Sequence, residues 1–234
     1  MLLNKSFIAI IPARGGSKRL VGKNLLKLGG VPLIAWTIKA ALGCESLDEV
    51  IVSTDSDDIK DVALEFGATV PFKRPSNLAT DTSSGFEVIE HAVEYYKNKH
   101  NRIFDYVLVL QPTSPFRSKD HIDQAIKILL EKDASAVISV CESEHPPQWM
   151  GTLPADGDMS NFIADEIRNM RSQDLSKYYR LNGAIYICNT KELINHKTFF
   201  LKSKIFSYVM KNEHSVDIDD IDDFNFAEFL LSKK

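Results

Sequence analysis

Asp217 and Asp219 stand two apart in the run SVDIDDIDDF, and a cluster of cations lies near the other end of the chain. The cations are Arg14, Lys18, Arg19 and Lys23 in FIAIIPARGGSKRLVGKN, interrupted by Gly15 and Gly16. If residues 217–219 are extended, positions two apart project to one face and aim two hard oxygen ligands at one point. That donor set suits Mg²⁺, which takes one or two protein carboxylates and fills its remaining positions with water and phosphate oxygens. The two glycines let the backbone adopt conformations closed to other residues and approach a ligand closely, and the cations attract anions. The loop therefore reads as a phosphate cradle. Each feature alone has a plainer reading: a solvated acidic helix start at 217–223, and a solvated basic turn at 14–23. A bound polyphosphate would join them, because its charge needs neutralising from both sides.

A third group is Arg74 with the polar loop KRPSNLATDTSSG at 73–85. A guanidinium fork suits a carbonyl oxygen or a base edge, and Gly85 permits the backbone to close over a flat ring. The plainer alternative is a surface loop whose Ser83 or Ser84 caps the following helix. Two common phosphate motifs are excluded. Gly22-Lys23 is preceded five residues back by Ser17 and followed by Asn24, so the GxxxxGK[ST] pattern fails twice. Gly15 and Gly16 are adjacent with no third glycine in register, so GxGxxG is absent.

The elements that position these residues follow from periodicity. Residues 7–11 form a short isoleucine-rich run stopped by Pro12, a buried strand opening directly into the basic loop. The spacing predicts a helix over 32–42, a strand over 49–53, a helix over 57–66 ended by Gly67, and a short third strand over 68–71. Strands alternating with helices imply a parallel sheet with crossover connections. A helix over 86–97 and a strand over 106–110 follow, the latter running into QPTSPFR at 111–117. His91 in that helix reads as a packed residue, since no carboxylate or nucleophile pairs with it. Ligands of open α/β sheets collect at the carboxyl ends of strands, so the basic loop and the Gln111 segment point to one cleft. A helix over 120–132 and a strand over 136–140 are expected to complete the parallel section.

From 142 to 177 the periodicity fades, broken by Pro146, Pro147, Gly151, Pro154 and Gly157. This stretch is expected to leave the main sheet, as a pair of strands that contacts another subunit. Strands return at 182–187 and 205–210, and an amphipathic helix closes the chain at 221–231.

The whole chain, at 234 residues with net charge −4, is long enough for one large domain and too acidic for nonspecific nucleic-acid binding. No targeting peptide is expected, and no apolar stretch approaches the roughly 20 residues a membrane helix requires. The three cysteines are far apart and odd in number, and the six histidines lack zinc spacing, so buried thiols in a reducing cytoplasm are expected.

Taken in order, IPARGGSKR, VGKN, RPSNLATDT, LQPTSPFR, LNGAIYI and SVDID resemble the motif series of the acylneuraminate cytidylyltransferases, the CMP-sialic acid synthetase family. The likeness spans about 7–229. It implies a single nucleotidyltransferase domain over 1–234, of Rossmann-like α/β fold with a mostly parallel sheet of the nucleotide-diphospho-sugar transferase type. A small dimerisation lobe would be inserted at about 142–177. The implied reaction joins CTP and a nonulosonic acid into a CMP-sugar and pyrophosphate, with Mg²⁺ as cofactor. Catalysis would then be positioning and charge stabilisation around the α-phosphate.

By the same resemblance Ala13, Arg14, Gly15, Ser17, Lys23, Asn24, Arg74, Ser83 and Gly85 match nucleotide-binding positions. Arg14, Lys23, Asp217 and Asp219 match catalytic ones, the two aspartates as metal ligands. Gln111, Arg171, Tyr179, Arg180 and Asn182 match the sugar-binding side. The chain departs from the family in its irregular stretch. Trp149, followed by Met150, stands where sialate enzymes often carry a lysine, and Ser172 stands at an arginine position, with Arg171 one place earlier. A Trp-Met wall favours a less polar substrate such as legionaminate over N-acetylneuraminate. The alternatives are a CMP-Kdo synthetase and a noncatalytic nucleotide-sugar-binding protein. The full set of cations and carboxylates weighs against the second.

Overall fold

The computed structural model describes residues 5–233. Strand β1 (Phe7–Pro12) is buried on both faces, and its alternation sorts the two sides of the sheet. Phe7, Ala9 and Ile11 face one core cluster, Ile8 and Ile10 the other. A two-residue hairpin, β2 (Lys27–Leu28) and β3 (Val31–Pro32), leads into α1 (Leu33–Leu42). Then come β4 (Glu49–Ser53), α2 (Asp57–Glu65), α3 (Gly85–His100), β5 (Tyr106–Val109) and α4 (Lys119–Glu131). The chain finishes with β6 (Ala136–Glu142), β7 (Tyr179–Asn189), α5 (Thr190–His196), β8 (Ile205–Met210) and α6 (Ile221–Leu231).

The main sheet has the order β4-β1-β5-β7-β6-β8. β1 pairs parallel with β4 and β5, β6 pairs parallel with β8, and β7 runs antiparallel between β5 and β6. This is the mostly parallel α/β sheet expected. One face is covered by Ile34 and Ile38 of α1, Ile59 and Ala63 of α2, and Ile122 and Ile126 of α4. Ile89 and Ala92 of α3 and Leu193 of α5 cover the other. Helix-period burial against a strand-period sheet is what the sequence pattern dictates.

Three expectations are corrected. Residues 68–71 make no strand: they contribute the isolated parallel bridge Ile51↔Thr69, with a second bridge at Thr54↔Lys73, and Pro71 between them has no N–H to continue a ladder. The strand at 136–142 does not extend the first parallel block, because β7 returns from the far end of the sequence and fits between β5 and β6. Residues 143–178 hold no pair of strands. They carry single 3₁₀ turns at Pro147–Trp149, Asp165–Ile167 and Ser172–Asp174, and Pro146, Pro147 and Pro154 remove ladder donors from the first part of the stretch. Their two ends are tied at the sheet, where Ser143 N–H donates to the Tyr178 carbonyl at 2.8 Å.

Candidate active site

The cleft forms where the loops after β1 and β5 meet the stretch that leads from β4 into α3, with Asp219 on the remaining side. At its floor Lys23 leaves the glycine loop just after Gly22, whose φ of +66° only glycine adopts readily. The Lys23 Nζ donates to the Ile218 carbonyl at 2.7 Å and to Asp219 Oδ1 at 3.2 Å, joining two segments far apart in sequence. Asn24 is buried and its Nδ2 donates to the Arg14 carbonyl at 3.1 Å, so it braces the loop from within. The segment 217–219 is clamped from the other side. Ile218 N–H donates to the Thr113 carbonyl at 2.9 Å, and the Ile218 side chain packs with Leu28, Leu33, Phe116 and Ala227. Asp217 and Asp219 flank this buried anchor. Burial pushes the Asp217 carboxyl above its ordinary range, opposed by a hydrogen bond from Thr113 and the charge of Lys23, while the charge of Asp219 adds to the rise.

The remaining loop cations are held by carboxylates on the walls. Asp81 meets Arg14 at 2.9 Å and Lys18 at 2.5 Å, and Arg19 meets Asp219 at 2.9 Å. Arg14 also donates to the Thr80 carbonyl at 3.2 Å. Gly15 and Gly16 contribute differently than their pairing implied, since neither has a positive φ. Gly15 is needed for close approach: a Cβ there would lie 3.1 Å from Ser56 Cβ, and its N–H donates to Asp55 Oδ1 at 3.0 Å. Gly16 has open space around it.

Arg74 is buried beside the cleft, its Nε and Nη2 donating to the Ser53 hydroxyl and carbonyl. Burial lowers its guanidinium pKa to about 10, so it stays charged at neutral pH. Ser84, not Ser83, caps α3, in a capping box with Glu87, while the Ser83 hydroxyl donates to the Asn77 carbonyl.

The cleft, about 410 Å³, is lined by Arg14, Ser17, Lys23, Asn24, Arg74, Ser83, Gly85, Gln111 and Asp219 among others. Those predicted positions come together although they derive from four separate segments. Ala13 is buried directly behind the loop, its N–H donating to the Ser53 carbonyl at 2.9 Å. Asp217 is not part of that lining, but its Oδ2 and the Gln111 side chain crowd the same glycine, Gly183.

The predicted sugar-side residues are more dispersed. Asn182 is fully buried and its amide is engaged in packing: Oδ1 accepts from Ser139 Oγ at 2.6 Å, and Nδ2 donates to Ser215 Oγ at 2.9 Å. It shapes the 215–219 segment from behind. Arg180 forms a two-pronged pair with Glu144, at 3.0 and 2.7 Å. Tyr179 and Arg171 are exposed, as are Trp149 and Met150.

Two contributors were not singled out by the sequence, Asp81 and Gly183, although both lie inside the motifs RPSNLATDT and LNGAIYI. The opposite charge of Asp81 to the basic loop, and a glycine at a strand interior, were the signals available for them.

An open α/β sheet with a cationic cleft at its strand ends, bounded by Asp219 with Asp217 behind it, is the arrangement of a nucleotidyltransferase-type protein. The cytidylyltransferase family model matches residues 8–225, and the chain belongs to that family of enzymes. It is 40% identical over 232 residues to the CMP-N,N'-diacetyllegionaminic acid synthase of Legionella pneumophila, covering 96% of this chain and 95% of the relative. It is 35% identical over 223 residues to a Campylobacter jejuni pseudaminic acid cytidylyltransferase, covering 95% of each. The N-acylneuraminate cytidylyltransferase of Escherichia coli is 41% identical over 234 residues, covering 99% of this chain but 54% of that longer relative. Among solved structures, a CMP:2-keto-3-deoxy-manno-octonic acid synthetase complexed with CTP superposes with a TM-score of 0.70 at 19% identity, covering 97% of this chain and 99% of that one. That likeness is one of fold.

Proposed function

We propose that this enzyme transfers a cytidylyl group from CTP to the anomeric hydroxyl of a nonulosonic acid, releasing pyrophosphate. The observation that carries the reading is the junction of Lys23 with Ile218 and Asp219, which joins a phosphate-type loop to the segment that bears the two carboxylates. The names of the relatives at 35–41% identity, which act on legionaminic, pseudaminic and acylneuraminic acids, support this substrate class. A legionaminate-type acid is the first candidate, favoured by Trp149 and Met150, with N-acetylneuraminate next. An eight-carbon acid is the alternative.

Arg14, Ser17 and Lys23 would bind the triphosphate, and Asn24, Arg74, Ser83 and Gly85 the cytidine. Gln111 would face the sugar, with Arg171, Tyr179 and Arg180 available from the lobe side. Mg²⁺ fits the donors present. The buried Asp217 Oδ1 has no hydrogen-bond partner, and no cluster of three or more ligating side chains occurs among the described residues. A pair of carboxylates whose remaining partners are substrate phosphates suits Mg²⁺ better than a closed protein cage. Asp217 and Asp219 would hold the ion, which when bound supplies charge for the α-phosphate and the attacking hydroxyl. Lys23 places a fixed ammonium beside the same carboxylates, where negative charge grows during displacement.

The reading includes one domain whose segment at 142–177 contacts a second copy in a homodimer. Support comes from exposed apolar side chains there and on β8, among them Met150, Leu153, Met159, Phe206 and Val209. Three buried free cysteines suit the reducing cytoplasm. No described helix is long and apolar enough to cross a membrane. The test is pyrophosphate release from CTP and Mg²⁺ over a panel of eight- and nine-carbon 2-keto acids. Turnover with a nonulosonate is expected, and release with none of them overturns the reading.

A further inference from the structure

We propose that Asp81 is an internal anion that competes for the cations of the polyphosphate end of the cleft and re-pairs with them as pyrophosphate leaves. The inference rests on the CTP reading above. One carboxylate serves two cations here, Oδ1 toward Arg14 at 2.9 Å and Oδ2 toward Lys18 at 2.5 Å. The segment that carries Asp81 is stitched by its own bonds. Thr80 N–H donates to Ser83 Oγ at 3.2 Å, Ser83 N–H donates to Thr80 Oγ1 at 3.1 Å, and Ser83 Oγ donates to the Asn77 carbonyl at 3.0 Å. Asp81 is therefore held out toward the loop by a turn that does not depend on the ion pairs themselves.

The cations divide into two sets. Lys23 and Arg19 are paired with Asp219, beside the candidate metal carboxylates, whereas Arg14 and Lys18 are paired with Asp81. The attacked phosphorus belongs at the metal-carboxylate end, so the departing phosphates fall to Arg14 and Lys18. A polyphosphate that takes those two cations separates them from Asp81. When it departs, the same carboxylate is positioned to replace it, and the cations never lack an anion. A nucleoside monophosphate has no group at that end and leaves the pairs intact. Because Asp81 and Lys18 are exposed, the competition is weak enough for a polyanion to win.

The experiment measures binding of inorganic pyrophosphate, CTP and CMP to the full chain by calorimetry, in wild type and in Asp81→Asn. Pyrophosphate and CTP are expected to bind about five-fold more tightly to the variant, the order expected from removing two exposed ion pairs, with CMP unchanged. Asp81→Glu keeps the charge and is expected to restore wild-type affinity; circular dichroism checks that both variants fold. Unchanged or weaker pyrophosphate binding in a folded Asp81→Asn overturns the proposal, as does an equal gain for CMP. A wild-type protein that binds no cytidine nucleotide removes the CTP reading itself, a result distinguishable from failure of the Asp81 comparison.

Discussion

Gly183 lies so close to Gln111 that a Cβ on the glycine would stand 2.9 Å from the glutamine Oε1. Its φ of +71° is also in the region where side chains are strained, and Asp217 Oδ2 would sit 3.5 Å from the same Cβ. Gly183→Ala is therefore expected to cost about 1–2 kcal/mol of stability through backbone strain. It is also expected to displace Gln111. The kinetic signature is a raised KM for the sugar acid with the KM for CTP nearly unchanged. A wild-type sugar KM in this variant would count against Gln111 facing the sugar.

Asp219 joins the second set of cations to the floor of the cleft, at 3.2 Å from Lys23 and 2.9 Å from Arg19. Asp219→Ala should remove a metal ligand and leave both cations without that carboxylate. Pyrophosphate release is expected to fall by about a hundred-fold or more, the scale of losing one electrostatic contact in a transition state. Urea midpoints should move little, since the ion pairs are partly exposed. Retained turnover in this variant would rule out the metal assignment.

Much of this arrangement was legible in the sequence because local rules and the fold agree. Isoleucine-rich β1 ending at Pro12, the capped helices and the strand before Gln111 announce a sheet whose strand ends carry ligand-facing loops. What was not legible depends on long-range pairing. Nothing local in residues 179–189 states that β7 will insert antiparallel between β5 and β6. That insertion also carries Asn182 into the interior, where Ser139 and Ser215 take up its amide. Nor does the glycine pair reveal that Gly22, and not Gly16, has the positive φ in the loop.

Arg117, the last residue of QPTSPFR, offers its donors inward, as a fully buried guanidinium beneath the cleft. It donates to the carbonyls of Gln111 at 3.2 Å and Ala184 at 2.9 Å and to Thr37 Oγ1 at 2.5 Å, tying the end of β5 to β7 and α1. Burial lowers its pKa, yet three acceptors keep the charged form bonded. Arg117→Met strands those acceptors and is expected to cost about 2–4 kcal/mol, measured by urea unfolding. A stability within experimental error of wild type would show that the acceptors find other partners. The lysine variant should recover only part, because one ammonium lacks the reach of a planar fork.

The pair Glu144–Arg180 gives the lobe a measurable pH dependence. The hydrogen bonds from Arg180 hold the Glu144 carboxyl down to about 2. An acid whose folded pKa is depressed binds fewer protons folded than unfolded as pH drops through the interval between the two values. Its contribution is therefore complete above the ordinary glutamate value of about 4.3 and is lost as pH falls from there toward the folded value. Both side chains are substantially exposed, so solvent screening holds the contribution to about 1 kcal/mol at most. Glu144→Gln should be slightly less stable than wild type at neutral pH, and the two should converge in strong acid. Because this pair lies where residues 143–178 rejoin the sheet, the variant should also be cleaved faster in that stretch by a protease at neutral pH. A carboxyl resonance for Glu144 that titrates in the ordinary range, together with unchanged cleavage, would mean that Arg180 does not anchor the lobe and is free to face the sugar.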